Sequence, residues 1–206
     1  MDREKILDLL EKREYKELKE ELGNLYPVDI AEFLEDVDEK QMLLIFRLLG
    51  KEEAAETFTY MNSDMREILI GALTDSELKE VMDEMYLDDT VDVIEEMPAN
   101  VVDRLLMMTD EDTRKQINSL LKYPEDSAGS VMNVEYIALR PDMTVADAIL
   151  KIRQVGINKE TIYTCYVTDA QRKLLGVIPL RTLICAEDDS LVGDLMEDDV
   201  ISVHTL

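Results

Sequence analysis

Two periodicities divide the chain. From Met1 to about Lys122, apolar residues recur at intervals of three and four, the spacing that gives an α-helix one apolar face. The segments are short. Arg3 to Leu10 is followed by Lys12 to Leu22, and Gly23-Asn24 ends the second. Pro27 opens a segment with Ile30, Phe33, Leu34 and Val37 on one side, and Asp38 opens another with Met42, Ile45, Phe46 and Leu49 inward. Further starts fall near Lys51, Ser63, Thr74, Leu87, Pro98 and Asp110. Ser63, Thr74 and Asp110 are capping residue types, and Pro98 suits a first helical position. Helices this short are unstable alone, so the pattern predicts that they stack.

The stack is repetitive. Asp29 to Val37 aligns with Asp89 to Met97 at an offset of 60 residues, and the offset carries on from Leu44 to Arg104 and from Thr57 to Ile117. A shorter echo runs from Asp64 to Leu69. An Asp at a helix start meets the positive end of the dipole and can cap it. These features predict an all-α superhelical, armadillo-like domain over residues 1–125.

After Asp126-Ser127-Ala128-Gly129 the period changes. Val134 to Leu139 reads as a strand, and Pro141 and Thr144 introduce a helix with Val145, Ala148, Ile149 and Ile152 inward. Ile162 to Val167 reads as a buried strand, Asp169 to Lys173 as a turn, Leu174 to Ile178 as a strand and Leu180 to Ala186 as a short helix. Leu191 to Met196 and a strand over Val200 to Val203 then begin a similar unit. This gives an α/β domain over 126–190 and the opening of another over 191–206, from which more protein is expected to follow. Overall the chain reads as a multi-domain protein, all-α and then α/β.

Charge changes the picture most. The chain has 47 Asp and Glu against 22 Lys and Arg, a formal charge of −25 on 206 residues. Nucleic acid is excluded as a natural partner, because phosphate binding needs clustered cations. Hard divalent cations, which take carboxylate oxygens, suit such a chain. The single histidine, His204, removes triads and HExxH zinc sites, and no phosphate-binding glycine loop is present, so the chain reads as a non-enzyme. Cys165 and Cys185 stand among apolar residues and read as reduced and buried. No apolar run approaches the length of a membrane span.

The β-α-β-β-α order, with Leu174-Leu-Gly-Val-Ile178 before a short helix, resembles a CBS domain, and Val192-Gly-Asp-Leu-Met196 resembles the opening of its tandem partner. Tyr123-Pro-Glu-Asp-Ser-Ala-Gly-Ser-Val-Met132, joining a helical stack to such a unit, resembles the MgtE family of magnesium transporters, as does Glu160-Thr-Ile-Tyr163. The resemblance implies a cytosolic region at the cytoplasmic face of the membrane, a homodimer, below a transmembrane pore absent from this chain. It implies that this region senses Mg²⁺ and shuts the pore when Mg²⁺ is plentiful.

Family sensing acids map where motifs match. Leu87-Asp-Asp-Thr-Val-Asp92 points to Asp88 and Asp92, and Ala54-Ala-Glu56 points to Glu56. Asp88 and Asp92, at i and i+4, share a helix face with Glu95 and Glu96 nearby, while Val91 and Ile94 face away. Like charges so spaced cost about 0.2–0.5 kcal/mol per pair, which a divalent ion reverses. The plain alternative is a solvated acidic face. CBS pairs also bind adenine nucleotides, but here Gly176-Val-Ile-Pro179-Leu-Arg-Thr182 puts Pro179 and Thr182 at the two polar positions, which argues against a strong site on this unit; Arg181 could still meet a phosphate. The competing function is a scaffold of helical and CBS units, or a nucleotide-responsive module, whose acidic faces bind a basic protein without any role in transport.

Overall fold

The structure is a computed structural model describing residues 2–124 and 126–206. Met1 and Glu125 lie outside the described residues, as does the side chain of Asn158. The expected domain boundary at 125/126 and the Glu of the junction motif therefore fall outside them too. The chain forms two compact units, Met1–Lys122 and Tyr123–Leu206.

The first unit is all helix among its described residues: α1 (Arg3–Lys12), α2 (Tyr15–Leu22), α3 (Pro27–Leu34), α4 (Glu39–Leu48), α5 (Lys51–Tyr60), α6 (Ser63–Ala72), α7 (Asp75–Glu84), α8 (Leu87–Glu96), α9 (Ala99–Met108) and α10 (Glu111–Leu120). Helix starts fall at 3, 15, 27, 39, 51, 63, 75, 87, 99 and 111, a constant step of 12. The 60-residue offset seen in the sequence is five of these steps. Helices that follow at two steps pack together: α3 on α5, α5 on α7, α7 on α9, α4 on α6 and α8 on α10.

The step has a simple cause. In most of these helices the fourth residue points inward, as in Ile6, Leu18, Ile30, Met42 and Leu78, and the seventh and eighth join it, as in Phe33 with Leu34 and Ile45 with Phe46. The eleventh lies in the link and is also buried in Leu49, Met61, Leu73 and Met97. These positions are i, i+3, i+4 and i+7, one apolar stripe. Three of these positions hold buried polar residues: Thr57 at a seventh, Arg66 and Thr90 at fourths. Thr90 Oγ1 donates to Tyr86 O at 3.0 Å, and Arg66 Nε to Phe58 O at 3.1 Å.

Two extended residues make most later links, as at Met61-Asn62 and Leu73-Thr74. The second commonly caps the next helix. Asp38 forms a capping box with Gln41, Thr74 with Glu77, and Asp110 accepts from Asp112 N and Thr113 N. Several expectations shift here. Asn62, not Ser63, caps α6, and Pro98 is the cap of α9 rather than its first residue. Asp29 and Asp89 lie third in α3 and α8, where they meet the dipole but do not cap. A continuous helix over 12–22 is also corrected: Arg13 takes a left-handed conformation (φ 59°) that ends α1.

The second unit carries β1 (Ile137–Leu139), α11 (Val145–Val155), β2 (Thr164–Thr168), β3 (Leu174–Pro179), α12 (Leu180–Cys185) and α13 (Val192–Leu195). β1 runs parallel to β2, with Ile137 opposite Cys165, and β2 antiparallel to β3, with Cys165 opposite Ile178. The inward residues of the sheet, Leu139, Cys165, Val167 and Ile178, pack on Ala148, Ile152 and Leu183. Val192 lies in the same core, its N–H donating to Met143 O at 2.9 Å. The first strand starts at Ile137, later than expected. Val200 to Val203 form no strand: after Glu197 pairs with Val177 nothing continues a ladder, and a strand exists only by its pairing. Cys165 is buried, which pushes its thiol up to about 11. Cys185 is exposed, against expectation, because the short α12 turns Leu183 inward and leaves Ile184 and Cys185 outside.

Gly176 is where the sheet tolerates no side chain: a Cβ there would stand 2.6 Å from Glu197 O and 3.0 Å from Met196 Sδ. Gly176→Ala is expected to destabilise the second unit by about 1–3 kcal/mol. Hydrogen exchange will read this as faster exchange of β2 and β3 amides with α1–α10 unchanged. Unaltered protection in β2 and β3 would contradict the packing described.

Candidate metal-responsive acidic face

Helix α8 carries the candidate site. Its inner face is Leu87, Thr90, Val91, Val93 and Ile94, all buried. That burial leaves Asp88, Asp92 and Glu96 in a row on the other side, at i, i+4 and i+8. A rise of about 1.5 Å per residue sets neighbouring members about 6 Å apart along the axis. Asp88 is half-buried; Asp92 and Glu96 are exposed. The expected orientation of Val91 and Ile94, away from the acids, is the one observed.

The row is electrostatically loaded. The Asp92 carboxyl is pushed above its ordinary range, first by partial burial, then by the charges of Asp88 and Glu96; Arg66 opposes the shift. Arg66 is itself fixed. Its side chain is 9% exposed, its guanidinium donates to Phe58 O and Thr59 O at the end of α5, and Nη1 meets Glu96 Oε2 at 2.7 Å. So held, this cation stays on Glu96 and the α5 carbonyls and offsets the Asp92 shift only in part.

Glu77 shows the contrasting case. It pairs with Arg47 through two bonds of 2.7 and 3.1 Å and with the Thr74 backbone, and its carboxyl is held down to about 2. An acid with that much local compensation has little need of a metal.

Of the three acids singled out from sequence, the structure brings Asp88 and Asp92 together. Glu56 stands exposed on α5 and is not among the charges acting on Asp92. Glu96 and Arg66 complete the face. The first follows from extending the i, i+4 rule by one more turn. The second has its signal in the 12-residue step, where an Arg in an inward column must find backbone acceptors.

The donor chemistry fits a hard divalent ion, and the spacing limits how. Carboxylates one turn apart can share an ion, but i and i+8 lie about 12 Å apart on the axis and cannot. Among the described residues no three His, Cys, Asp or Glu converge as a ready ligand group. Mg²⁺ keeps several waters and binds through one or two carboxylates, so the face offers partial sites for hydrated ions.

The fold defines a class: a superhelix of short helices followed by an α/β unit of the CBS type. Residues 25–126 match the MgtE intracellular N domain and residues 128–189 match the CBS domain. The magnesium transporter MgtE of Thermus thermophilus is 31% identical over 204 residues, covering 97% of this chain and 45% of that protein. MgtE of Enterococcus faecalis is 29% identical, covering 97% and 44%. The cytosolic domain of the Mg²⁺ channel MgtE in complex with ATP superposes with a TM-score of 0.91 at 30% identity, over 97% of this chain and 82% of that one. The soluble part of a magnesium transporter gives 0.87 at 28% identity, over 98% and 80%. This chain belongs to the MgtE family. It spans about half the length of the curated relatives it matches. No helix among the described residues is long and apolar enough to cross a membrane.

The Asp92 shift gives a signed expectation. A carboxyl whose folded pKa is raised binds its proton more readily when folded. Stability is therefore lost as pH rises from the unfolded value through the folded one. Asp92→Asn removes this loss, so the variant is expected to be more stable at pH 7 without divalent ions, by roughly 0.2–0.5 kcal/mol. Urea unfolding with a chelator present checks this. The gain should shrink toward pH 4 and vanish in millimolar Mg²⁺; a variant less stable at neutral pH would mean that Asp92 makes a favourable contact instead.

Proposed function

We propose that this chain is the Mg²⁺-responsive regulatory part of a magnesium transporter, at the cytoplasmic face of the membrane, beneath a pore formed by other residues of the whole protein. The observation that carries the reading is the row Asp88, Asp92 and Glu96, whose middle carboxyl is pushed up by burial and by its like-charged neighbours. Like charges in such a row disfavour one another, and a divalent ion relieves that repulsion. The matched relatives, named as magnesium transporters and not as enzymes, support the choice of ion.

The mechanism follows from charge. Up to Lys122 the chain has 33 Asp and Glu against 15 Lys and Arg; beyond it, 14 against 7. Without Mg²⁺ the two units repel each other. As Mg²⁺ rises, ions held by Asp88 and Asp92, and by Glu56 on α5, bridge to carboxylates of the CBS pair and neutralise both. Each ion that binds only the closed arrangement stabilises it by about 2.7 kcal/mol at a hundredfold excess over its Kd. Several weak ions give a steep response, and the closed arrangement holds the pore shut. In this proposal residues 126–190 form the first CBS unit, residues 191–206 open the second, and the CBS pairs join two chains as a homodimer.

An adenine nucleotide is a second ligand of the same region. The reading rests on the relative solved with ATP and on Arg181, which is exposed on α12 where it can meet a phosphate. Pro179 caps α12 at the position a hydroxyl would serve, so the second CBS unit must supply most of the contacts.

The test is a Mg²⁺ titration, at fixed ionic strength, of the chain extended through a complete second CBS unit, read by X-ray scattering. Compaction in the millimolar range, weakened by Asp88→Ala and Asp92→Ala, is expected. Equal compaction by monovalent salt would overturn the proposal in favour of a scaffold that responds only to screening.

A further inference from the structure

The α8 row offers two places for an ion shared by carboxylates one turn apart, Asp88 with Asp92 and Asp92 with Glu96. Both need Asp92, so occupying one excludes the other. The two turns are not equivalent, because a protein cation already stands at one end of the row. Glu96 Oε2 accepts from Arg66 Nη1 at 2.7 Å, an ion pair that joins α6 to α8.

Arg66 differs from the other arginines that cross-link the stack. The side chains of Arg3 and Arg47 are 41% exposed and that of Arg104 is 32% exposed, against 9% for Arg66. Its Nε and Nη2 donate to Phe58 O and Thr59 O in the last turn of α5. These contacts hold the guanidinium in place whether or not Glu96 stays on it. An ion shared by Asp92 and Glu96 has to break a charge-assisted hydrogen bond and then sit beside a positive group that is anchored from behind. An ion shared by Asp88 and Asp92 leaves that pair intact. We propose that Arg66 is a positioning residue for the divalent ion: by holding Glu96 it confines a shared ion to the Asp88–Asp92 turn. The inference rests on the Mg²⁺ reading of this face and adds where on the row the ion sits. It also gives Arg66 a second effect, since a fixed positive charge near the row weakens the ion it directs.

Mn²⁺ is the probe, added substoichiometrically to the isotope-labelled whole chain, with amide relaxation followed along α8. In the parent the broadening spans the row and is weighted toward Asp88. Arg66→Gln removes the charge and keeps a donor for the α5 carbonyls. It is expected to move the weighting toward Glu96 and to raise the apparent Mn²⁺ affinity about threefold or more. Arg66→Lys restores the charge and the parent weighting, which a purely structural role would not do. Glu96→Gln, at an exposed position, tests the same claim should Arg66→Gln not fold: the ion stays weighted toward Asp88, and affinity falls less than in Asp88→Asn. Amide shifts of α1 to α4 confirm the fold of each variant. Weighting toward Glu96 in the parent, unchanged weighting in a folded Arg66→Gln, or loss of α8 broadening in Glu96→Gln would each overturn this inference alone. No preferential broadening of α8 in the parent would overturn the Mg²⁺ reading, and this inference with it.

Discussion

A ten-residue helix cannot hold itself together in water: its nucleus is costly and it has too few hydrogen bonds to repay it. The first unit is made of such helices, so everything in it depends on burying one stripe per helix against neighbours two steps away. The 12-residue step meets that need. Ten residues make nearly three turns, two extended residues reverse the path, and the next stripe meets the same kind of surface again. Met42, Ile45, Phe46 and Leu49 are the stripe of α4, and Ile30, Phe33 and Leu34 that of α3. Helix ends remain to be satisfied, and arginines serve them: Arg66 at the end of α5, Arg104 on Leu73 O, and Arg114 on Thr109 O.

Cross-links reinforce the step. Arg3 to Glu32, Arg47 to Glu77, Lys51 to Glu80, Asp75 to Arg104 and Arg66 to Glu96 all join residues 29 or 30 apart. Most are exposed and contribute little individually. Their shared spacing shows the same neighbour relation repeated along the stack. The acids outnumber the available cations, and the excess gathers on outward faces such as that of α8. The fold thus sets apart a hydrophobic interior, which holds the shape, from acidic outward faces, of which only some members, such as Glu96, also cross-link helices.

Much of this was legible in residue order. Apolar spacing placed most of the helices, and a change of period separated an all-α stretch from an α/β one. The 12-residue step itself was hidden, because Thr57, Arg66 and Thr90 interrupt the apolar columns and only the fifth multiple aligned clearly. Cap identities turned on single residues, Asn62 against Ser63 and Pro98 as cap, since one ψ angle decides which residue ends the extended link. The strand over Val200 to Val203 misled because β-branched residues mark strand propensity, while a strand needs a partner. At the site, Asp88 and Asp92 were readable as an i, i+4 pair. Arg66 was not, because its contact with Glu96 and the α5 carbonyls joins three helices.

Central to the proposed mechanism is that divalent ions act on the carboxylate row of α8 rather than on acidic surface in general. Paramagnetic relaxation tests this directly. Substoichiometric Mn²⁺, which shares magnesium's preference for oxygen ligands, is added to the isotope-labelled chain and amide intensities are followed by NMR. Early loss centred on Asp88, Asp92 and Glu96, reversed by excess Mg²⁺, is the expected result. Loss spread evenly over α1 to α10, or centred on another helix with α8 untouched, would contradict it.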